Sequence, residues 1–294
     1  MTKEIQSSEN VAVVIVNFNA GKLLTDCVQA VLASIFPVTI HIIDNASHDD
    51  SLHILQQTID DERIHIVKNT SNIGFAPAIN IVLPDITSKY LLLLNPDCLI
   101  QPDTIGLFVE TVNKYPQVGI AGCLVRNTDG SEQAGCRRTI PTPWRTIVRV
   151  FLLDKLLPKY CKSFVLTNTP LPTKPVEIEG ISGACMFVRN SALKIVGPMD
   201  EEYFLHCEDL DWFMRFRASK FKILFIPSIE VIHVKGFCSR KQPIKVLWYK
   251  HRGMIRFYRK FFQNQYPRLL FGLVILAVWM RFTLLAIKTK ISPE

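Results

Sequence analysis

The sequence predicts an α/β fold: a doubly wound, mostly parallel sheet flanked by helices. Three observations lead there. Val11–Val16 (VAVVIV) is an unbroken apolar run, the pattern of a strand buried on both faces. Strand-like and helix-like segments then alternate, and three such units within about 100 residues require crossover connections and hence parallel pairing. At 48% hydrophobic and 20% charged residues, the 294-residue chain is too apolar for a disordered protein and too irregular for a coiled coil or collagen.

The elements follow in order. Gly21–Ser34 places Leu23, Leu24, Cys27, Val28, Val31 and Leu32 at helical spacing. Val38–Ile43 is the second strand, Ser51–Ile59 a short helix and Ile64–Val67 the third strand. Ala76–Leu83 reads as a helix, Tyr90–Leu94 (YLLLL) as the fourth strand, and Asp103–Lys114 as the helix after it. Val118–Val125 is a further apolar strand. Residues 127–178 are less regular, with six prolines between 141 and 175 and the basic pair Arg137-Arg138. That stretch reads equally as a mobile acceptor-side insertion or as a long surface excursion. Gly183–Val188, Lys222–Ile226 and Glu230–His233 read as later strands, with a helix over Cys207–Ser219 among them.

Charge divides the chain. The net charge is +8, yet residues 1–230 carry 21 Lys+Arg against 25 Asp+Glu, a net of −4, and residues 231–294 carry 13 Lys+Arg against one acid, a net of +12. A basic end on an acidic body points to a polyanionic surface, nucleic acid or anionic lipid. The tail favours lipid. Pro243–Phe262 repeats Ile244, Leu247, Trp248, His251, Met254, Ile255, Tyr258 and Phe261 on one face and Lys245, Arg252, Arg256 and Arg259 on another, a basic amphipathic helix suited to a membrane surface. Leu269–Ile287 is just long enough to cross a bilayer, with Arg281 its one charge. That arginine costs a few kcal/mol in a clean span and favours an in-plane or re-entrant segment. A nucleic-acid partner is not expected. Residues 1–236 form the body and 237–294 the basic amphipathic helix and membrane-associating segment. The polar start, Met1–Asn10, lacks a signal core, so the eight cysteines, none at C-x-x-C spacing, read as reduced and mostly buried.

Ligands bind such sheets beyond the carboxyl ends of the strands. Asn17-Phe18-Asn19 follows the first strand without a G-x-G-x-x-G turn, and no G-x-x-x-x-G-K-[ST] loop occurs, which argues against a dinucleotide site or a P-loop. Asp44 closes the second strand, where a carboxylate accepts from a ribose hydroxyl or a pyrimidine N–H; Asp50 reads as a helix N-cap. Gly74 either lets backbone approach a ligand or simply turns the chain. Asp97, in Asn95-Pro96-Asp97, stands where a metal ligand to phosphates belongs, although Asn-Pro-Asp is also a common turn. Glu208, Asp209 and Asp211 open one helix. The helix dipole and an Asp211–Arg215 pair would account for them structurally, and a general base would account for them functionally. His233 ends a strand ahead of Lys235–Ser239 and is a ligand candidate.

Taken in order, VIVNFN (14–19), IIDNASHDDS (42–51), NIGFA (72–76), LLLLNPD (91–97), GACMFVRN (183–190), GPMDEEYFLHCEDLDWFMR (197–215) and HVKGFCS (233–239) resemble the family 2 inverting glycosyltransferases of the GT-A fold, in particular their rhamnosyltransferase-like branch. The resemblance covers residues 11–262. It implies a nucleotide-diphosphate sugar held around Val16, Asn17, Asn19, Asp44, Asn45, Gly74, Phe75, Asn95, Asp97 and Asp211. It implies Asp209 as general base with Glu208 beside it. Asp97 would be the last acid of the metal motif, with His233 completing a site for Mg²⁺ or Mn²⁺. The acceptor would be a lipid-linked glycan at the cytoplasmic side of the inner (plasma) membrane, as in O-antigen or other surface-polysaccharide assembly. The chain departs from the family at Asn95, where a second acid is usual, and at Pro77. The alternatives are a glycosyltransferase-like protein altered in catalysis and a nucleotidyltransferase on a similar sheet.

Overall fold

In the computed structural model, residues 10–150, 165–167, 169–234 and 242–291 are described. The Lys235–Ser239 motif, the 236/237 boundary, Cys161 and Cys238 lie outside them. The parallel half of the sheet consists of β1 (Val11–Asn17), β2 (Val38–Asp44), β3 (Ile64–Lys68) and β4 (Tyr90–Leu94), in the order β3-β2-β1-β4. The helices α1 (Lys22–Leu32), α2 (Ser51–Thr58) and α3 (Phe75–Val82) join them. Alternation along β1 builds two cores. Val11, Val13 and Ile15 pack with Leu24, Val28 and Val31 of α1, while Ala12, Val14 and Val16 pack with Ala76, Ile79 and Val82 of α3. Register pairs Asn17 with Asp44 and Asp44 with Lys68, so three strands end level with one another at their carboxyl ends.

The sheet continues through β10 (Cys185–Arg189), β6 (Val118–Arg126), β11 (Lys222–His233) and β5 (Cys98–Leu99). β10 runs antiparallel to both β4 and β6, so the second half is mixed. The two late strands read from sequence, 222–226 and 230–233, are one strand. Its register against β6 shifts between Ile226 and Glu230, where Pro227 has no N–H to donate. β8 (Val176–Ile178) adds to β11, and β7 (Arg137–Arg138) pairs with β9 (Gly180–Ile181) in a separate ribbon. The irregular stretch is tied down where it is described, for Cys136, Ile140 and Val148 are buried. Helices α4 (Thr104–Asn113), α5 (Pro143–Val150), α6 (Asn190–Val196) and α7 (Glu208–Ala218) complete the body.

α8 (Pro243–Phe262) has the bounds read from sequence but not a free basic face. Ile255, Phe257, Tyr258 and Phe262 are buried in one cluster with Trp212 and Phe213 of α7. Arg256 and Lys260 pair with Asp200 at 2.9 and 2.7 Å. α8 thus packs on the body despite the basic composition of the tail. α9 (Arg268–Ile291) extends beyond the span read from sequence. Phe271, Val274 and Val278, spaced to share one face, are buried, while Leu269, Leu273, Leu276 and Leu284 are exposed. Among the described residues, α9 is the one helix long and apolar enough to cross a bilayer.

Candidate active site

The carboxyl ends of β1 to β3 carry a polar network. Asn17 Nδ2 donates to Asp44 Oδ1 at 2.7 Å and to Ser51 Oγ at 2.9 Å, and the Ser47 amide donates to Asp44 Oδ2 at 3.2 Å. Asn19 adopts a left-handed conformation, φ 55°, and its Oδ1 accepts from the His48 amide. Asn45 donates to Asn72 Oδ1 and to the Gly74 carbonyl, and accepts from Asn69 and the Ile73 amide. These side chains order the loops at the carboxyl end of the sheet. Val16 contributes its side chain to the core. Asp50 occupies the N-cap position of α2 without a side-chain cap bond. Asp49 takes that task instead, accepting from the Ser51 and Gly21 amides.

Beyond β4 and β11, Asp97 Oδ1 lies 3.1 Å from His233 Nε2, and Asn95 Nδ2 lies 3.5 Å from the same nitrogen. On its other side, His233 Nδ1 is 2.7 Å from Gln133 Oε1. The amide of Gln133 donates through Nε2 to Asn127 Oδ1 and to the His233 carbonyl, which leaves Oε1 as an acceptor for Nδ1–H. The Nε2 lone pair then faces the Asp97 carboxylate. Two electron-rich atoms at that distance call for a positive charge between or on them, and a carboxylate oxygen with an imidazole nitrogen is a donor set suited to a divalent cation. Cys98 approaches the pair. Its thiol donates to the Ala184 carbonyl, and burial together with the Asp97 charge pushes its pKa well up, so it stays a thiol.

The three acids of α7 take different environments. Asp209 Oδ2 accepts from Arg138, which β7 projects from the irregular stretch, and Asp209 Oδ1 accepts from the Leu210 amide at 2.7 Å. A side chain at Gly183 would stand 3.3 Å from Asp209 Oδ2, so a glycine there makes room for the carboxylate. Asp211 is fully buried and pairs with Arg215 and with Lys260 of α8, each at 2.7 Å. In the structure Asp211 ties α7 to the tail and is not among the residues that line the cleft. Glu208 is buried, and desolvation with the neighbouring Asp209 charge raises its carboxyl well above the usual range, which favours the neutral acid.

The loop ahead of these acids is strained and clamped. His206 and Cys207 both have left-handed backbones, φ 69° and 72°. Gly74, itself at φ +100°, approaches so closely that a Cβ would lie 2.7 Å from the Phe204 carbonyl oxygen, and the Phe75 amide donates to that oxygen at 2.8 Å. From the other side, a Cβ on Gly253 of α8 would lie 2.7 Å from the His206 oxygen. Gly74 thus serves the loop that leads to Asp209.

A cleft of about 980 Å³ joins these parts. Phe75, Asn95, Glu208, Asp209 and His233 line it, as do Arg138, Gln133 and the backbone around Gly183. Val16, Asn17, Asn19, Asp44, Asn45, Gly74, Asp97 and Asp211 do not; Asp97 reaches it through its contact with His233. The tail supplies a further wall: Lys250, His251 and Met254 of α8, and Val274, Met280, Arg281 and Leu284 of α9. Sequence reading missed Arg138 and Gln133 as site residues. The Arg137-Arg138 pair in a proline-rich stretch was the one local signal. Arg137 is bound bidentately to Glu132, leaving Arg138 to the site.

Residues 12–195 match the family described as Glycosyl transferase family 2. Among curated proteins, the chain is similar to the N-acetylglucosaminyl-diphospho-decaprenol L-rhamnosyltransferase of Mycobacterium tuberculosis, 25% identical over 253 residues, 82% of this chain and 81% of the relative. It is also similar to the rhamnosyltransferase WbbL of Escherichia coli (strain K12), 26% identical over 167 residues, 54% of this chain and 60% of that one. Among solved structures, the mannosyltransferase PcManGT from Pyrobaculum calidifontis, in complex with GDP-Man and Mn²⁺, shares the fold with a TM-score of 0.58 at 15% identity, covering 94% of this chain and 70% of that one.

Proposed function

The chain belongs to glycosyl transferase family 2, and on that premise we propose that it inverts configuration while moving a sugar, as its rhamnosyltransferase relatives suggest rhamnose, from a nucleotide-diphosphate donor to a lipid-linked glycan. The observation that carries this reading is the single cleft that holds Asp209 and His233 against an apolar wall from α9. The polar ends of β1 to β3, Asp44 foremost, would receive the nucleoside. Asp97 and His233 would hold a divalent cation, which when bound supplies neutralising charge to the leaving diphosphate. One acid at 95–97 then suffices, because the histidine takes the place of the second.

Asp209 accepts the proton of an acceptor hydroxyl. The freed oxygen attacks the anomeric carbon from the face opposite the diphosphate, the carbon–oxygen bond to phosphate breaks, and configuration inverts without a sugar–enzyme intermediate. Arg138 and the Leu210 amide hold the two oxygens of Asp209 in place for that transfer. The outer face of α9 and the exposed Lys245, Arg252 and Arg259 of α8 would rest on the cytoplasmic leaflet and bring the cleft to a lipid-borne acceptor. The test is transfer from a panel of nucleotide sugars to N-acetylglucosaminyl-diphospho-polyprenol, with the anomeric configuration of the product read by NMR. Inversion that depends on a divalent cation is expected. Retention, or transfer of a nucleotidyl group, overturns the reading.

A further inference from the structure

Resting on that reading, we propose that α8 regulates the site as a lipid-sensing element: an anionic bilayer bound on its outward cationic stripe fixes the segment that leads into Asp209 and so switches on transfer. Lys245, Arg252 and Arg259 recur at seven-residue intervals, close to two helical turns, which puts them in one stripe, and all three are exposed. Arg252 also stands over the Trp248 ring at 5.2 Å, and tryptophan is a side chain favoured at headgroup level. Residues 231–294 hold one acid against 13 Lys and Arg, so the complement of the stripe is an anion. The exposed apolar face of α9, next along the chain, makes that anion a lipid headgroup.

The same helix grips segment 200–207 along most of its length. Arg256 and Lys260 pair with Asp200, Arg256 stands 5.3 Å over the Tyr203 ring, and Tyr249 stacks on Phe204 at 4.2 Å. Gly253 presses on the His206 oxygen, and Cys207 Sγ lies 3.9 Å from the Lys250 carbonyl. The left-handed backbones of His206 and Cys207 persist only where their surroundings over-determine them, and α8 is a large part of those surroundings. Glu208 begins α7 directly afterwards, so the position of Asp209 depends on how firmly α8 is seated. The three cations line up only while α8 is helical. A leaflet that binds the stripe therefore favours the seated helix by mass action, and the strained segment gains the same bias. Anionic lipid thus acts on the base itself, beyond delivering a lipid-borne acceptor.

The test places the full chain in nanodiscs of phosphatidylcholine alone and of phosphatidylcholine mixed with phosphatidylglycerol. Hydrogen exchange of the amides of residues 203–210 is followed by mass spectrometry. Anionic discs should slow that exchange by about tenfold or more. The triple variant Lys245→Gln, Arg252→Gln, Arg259→Gln should exchange alike in both discs, and Arg252→Lys with Arg259→Lys, which keeps the charges, should respond as the wild type does. Equal exchange of the wild type in the two discs overturns the proposal, as does a full response in the triple variant. In the transfer assay, a water-soluble glycan acceptor removes any need for delivery, and anionic discs should still raise kcat by about tenfold. A kcat that is the same in both discs overturns the regulation. Absence of transfer in every disc would sink the glycosyltransferase reading alone, because exchange reads the coupling without turnover.

Discussion

Gln133 Oε1 lies 2.7 Å from His233 Nδ1, and this contact selects the ring nitrogen that faces Asp97. With Nδ1 protonated, Nε2 presents its lone pair to the cleft. Partners that fix a ligating histidine in this way typically contribute about 10- to 100-fold in metal affinity. Gln133→Leu is therefore expected to raise the Mn²⁺ concentration needed for half-maximal transfer by about that factor. A manganese titration of activity checks it, with circular dichroism to confirm the fold.

Asp209→Asn should lower turnover by about 10²- to 10⁴-fold, the usual contribution of a general base. Donor affinity should change little, since Asp209 is held by Arg138 on the acceptor side of the proposed reaction. Calorimetric donor binding beside a turnover assay separates the two quantities. Turnover within a few-fold of wild type would remove Asp209 from its role.

Asp211→Asn should act on stability. The residue is fully buried between Arg215 and Lys260, and removing one member of a buried ionic cluster costs about 3–5 kcal/mol. Urea unfolding should report that loss, while the folded fraction binds donor as the wild type does.

The raised pKa of Glu208 sets a pH dependence. A buried carboxyl that holds its proton to higher pH than in the unfolded chain favours the fold fully below its ordinary value of 4.5, and loses that contribution as pH rises through the raised value. Stability should accordingly fall from pH 5 towards alkaline pH, and Glu208→Gln, which is neutral throughout, should flatten the slope. Thermal unfolding at several pH values measures it.

Removing residues 243–294 should unfold the body instead of releasing it. Ile255, Phe257, Tyr258 and Phe262 are buried among body residues. At about 1.5–3 kcal/mol for each large apolar side chain, their loss rivals the whole stability of an ordinary domain, about 5–15 kcal/mol. Loss of the cooperative melt, with dye binding to exposed apolar surface, is the expected result.

Local pattern made much of this molecule legible. β1 to β4 and α1 to α3 announce themselves because each buries its own apolar run or stripe, and α8 matches its reading from Pro243 to Phe262. Short elements escape: α6 spans seven residues, under two helical turns, and β5, β7 and β9 span two each. The site divides along the same line. Asp209, Asp97 and His233 stand at element ends, where position makes them candidates and the family resemblance singles them out. Their partners do not, because Arg138 meets Asp209 across 71 residues and Gln133 meets His233 across 100. For Asp211 the i+4 arginine was visible, but Lys260, which turns the residue into a structural tie, comes from the tail.

The clamp on the 204–206 loop has a consequence for how this sequence can change over generations. Gly74 and Gly253 belong to different elements and press on the loop from two sides, each with its backbone too near a carbonyl oxygen to admit a methyl group. Neither position can drift alone, because any larger residue must first displace the segment that begins the Asp209 helix. Viable lineages therefore keep both glycines or replace the whole arrangement in one step. A selection for altered acceptor preference should accordingly return paired changes at 74 and 253 together with substitutions at 204–207, and single changes at either glycine should be purged.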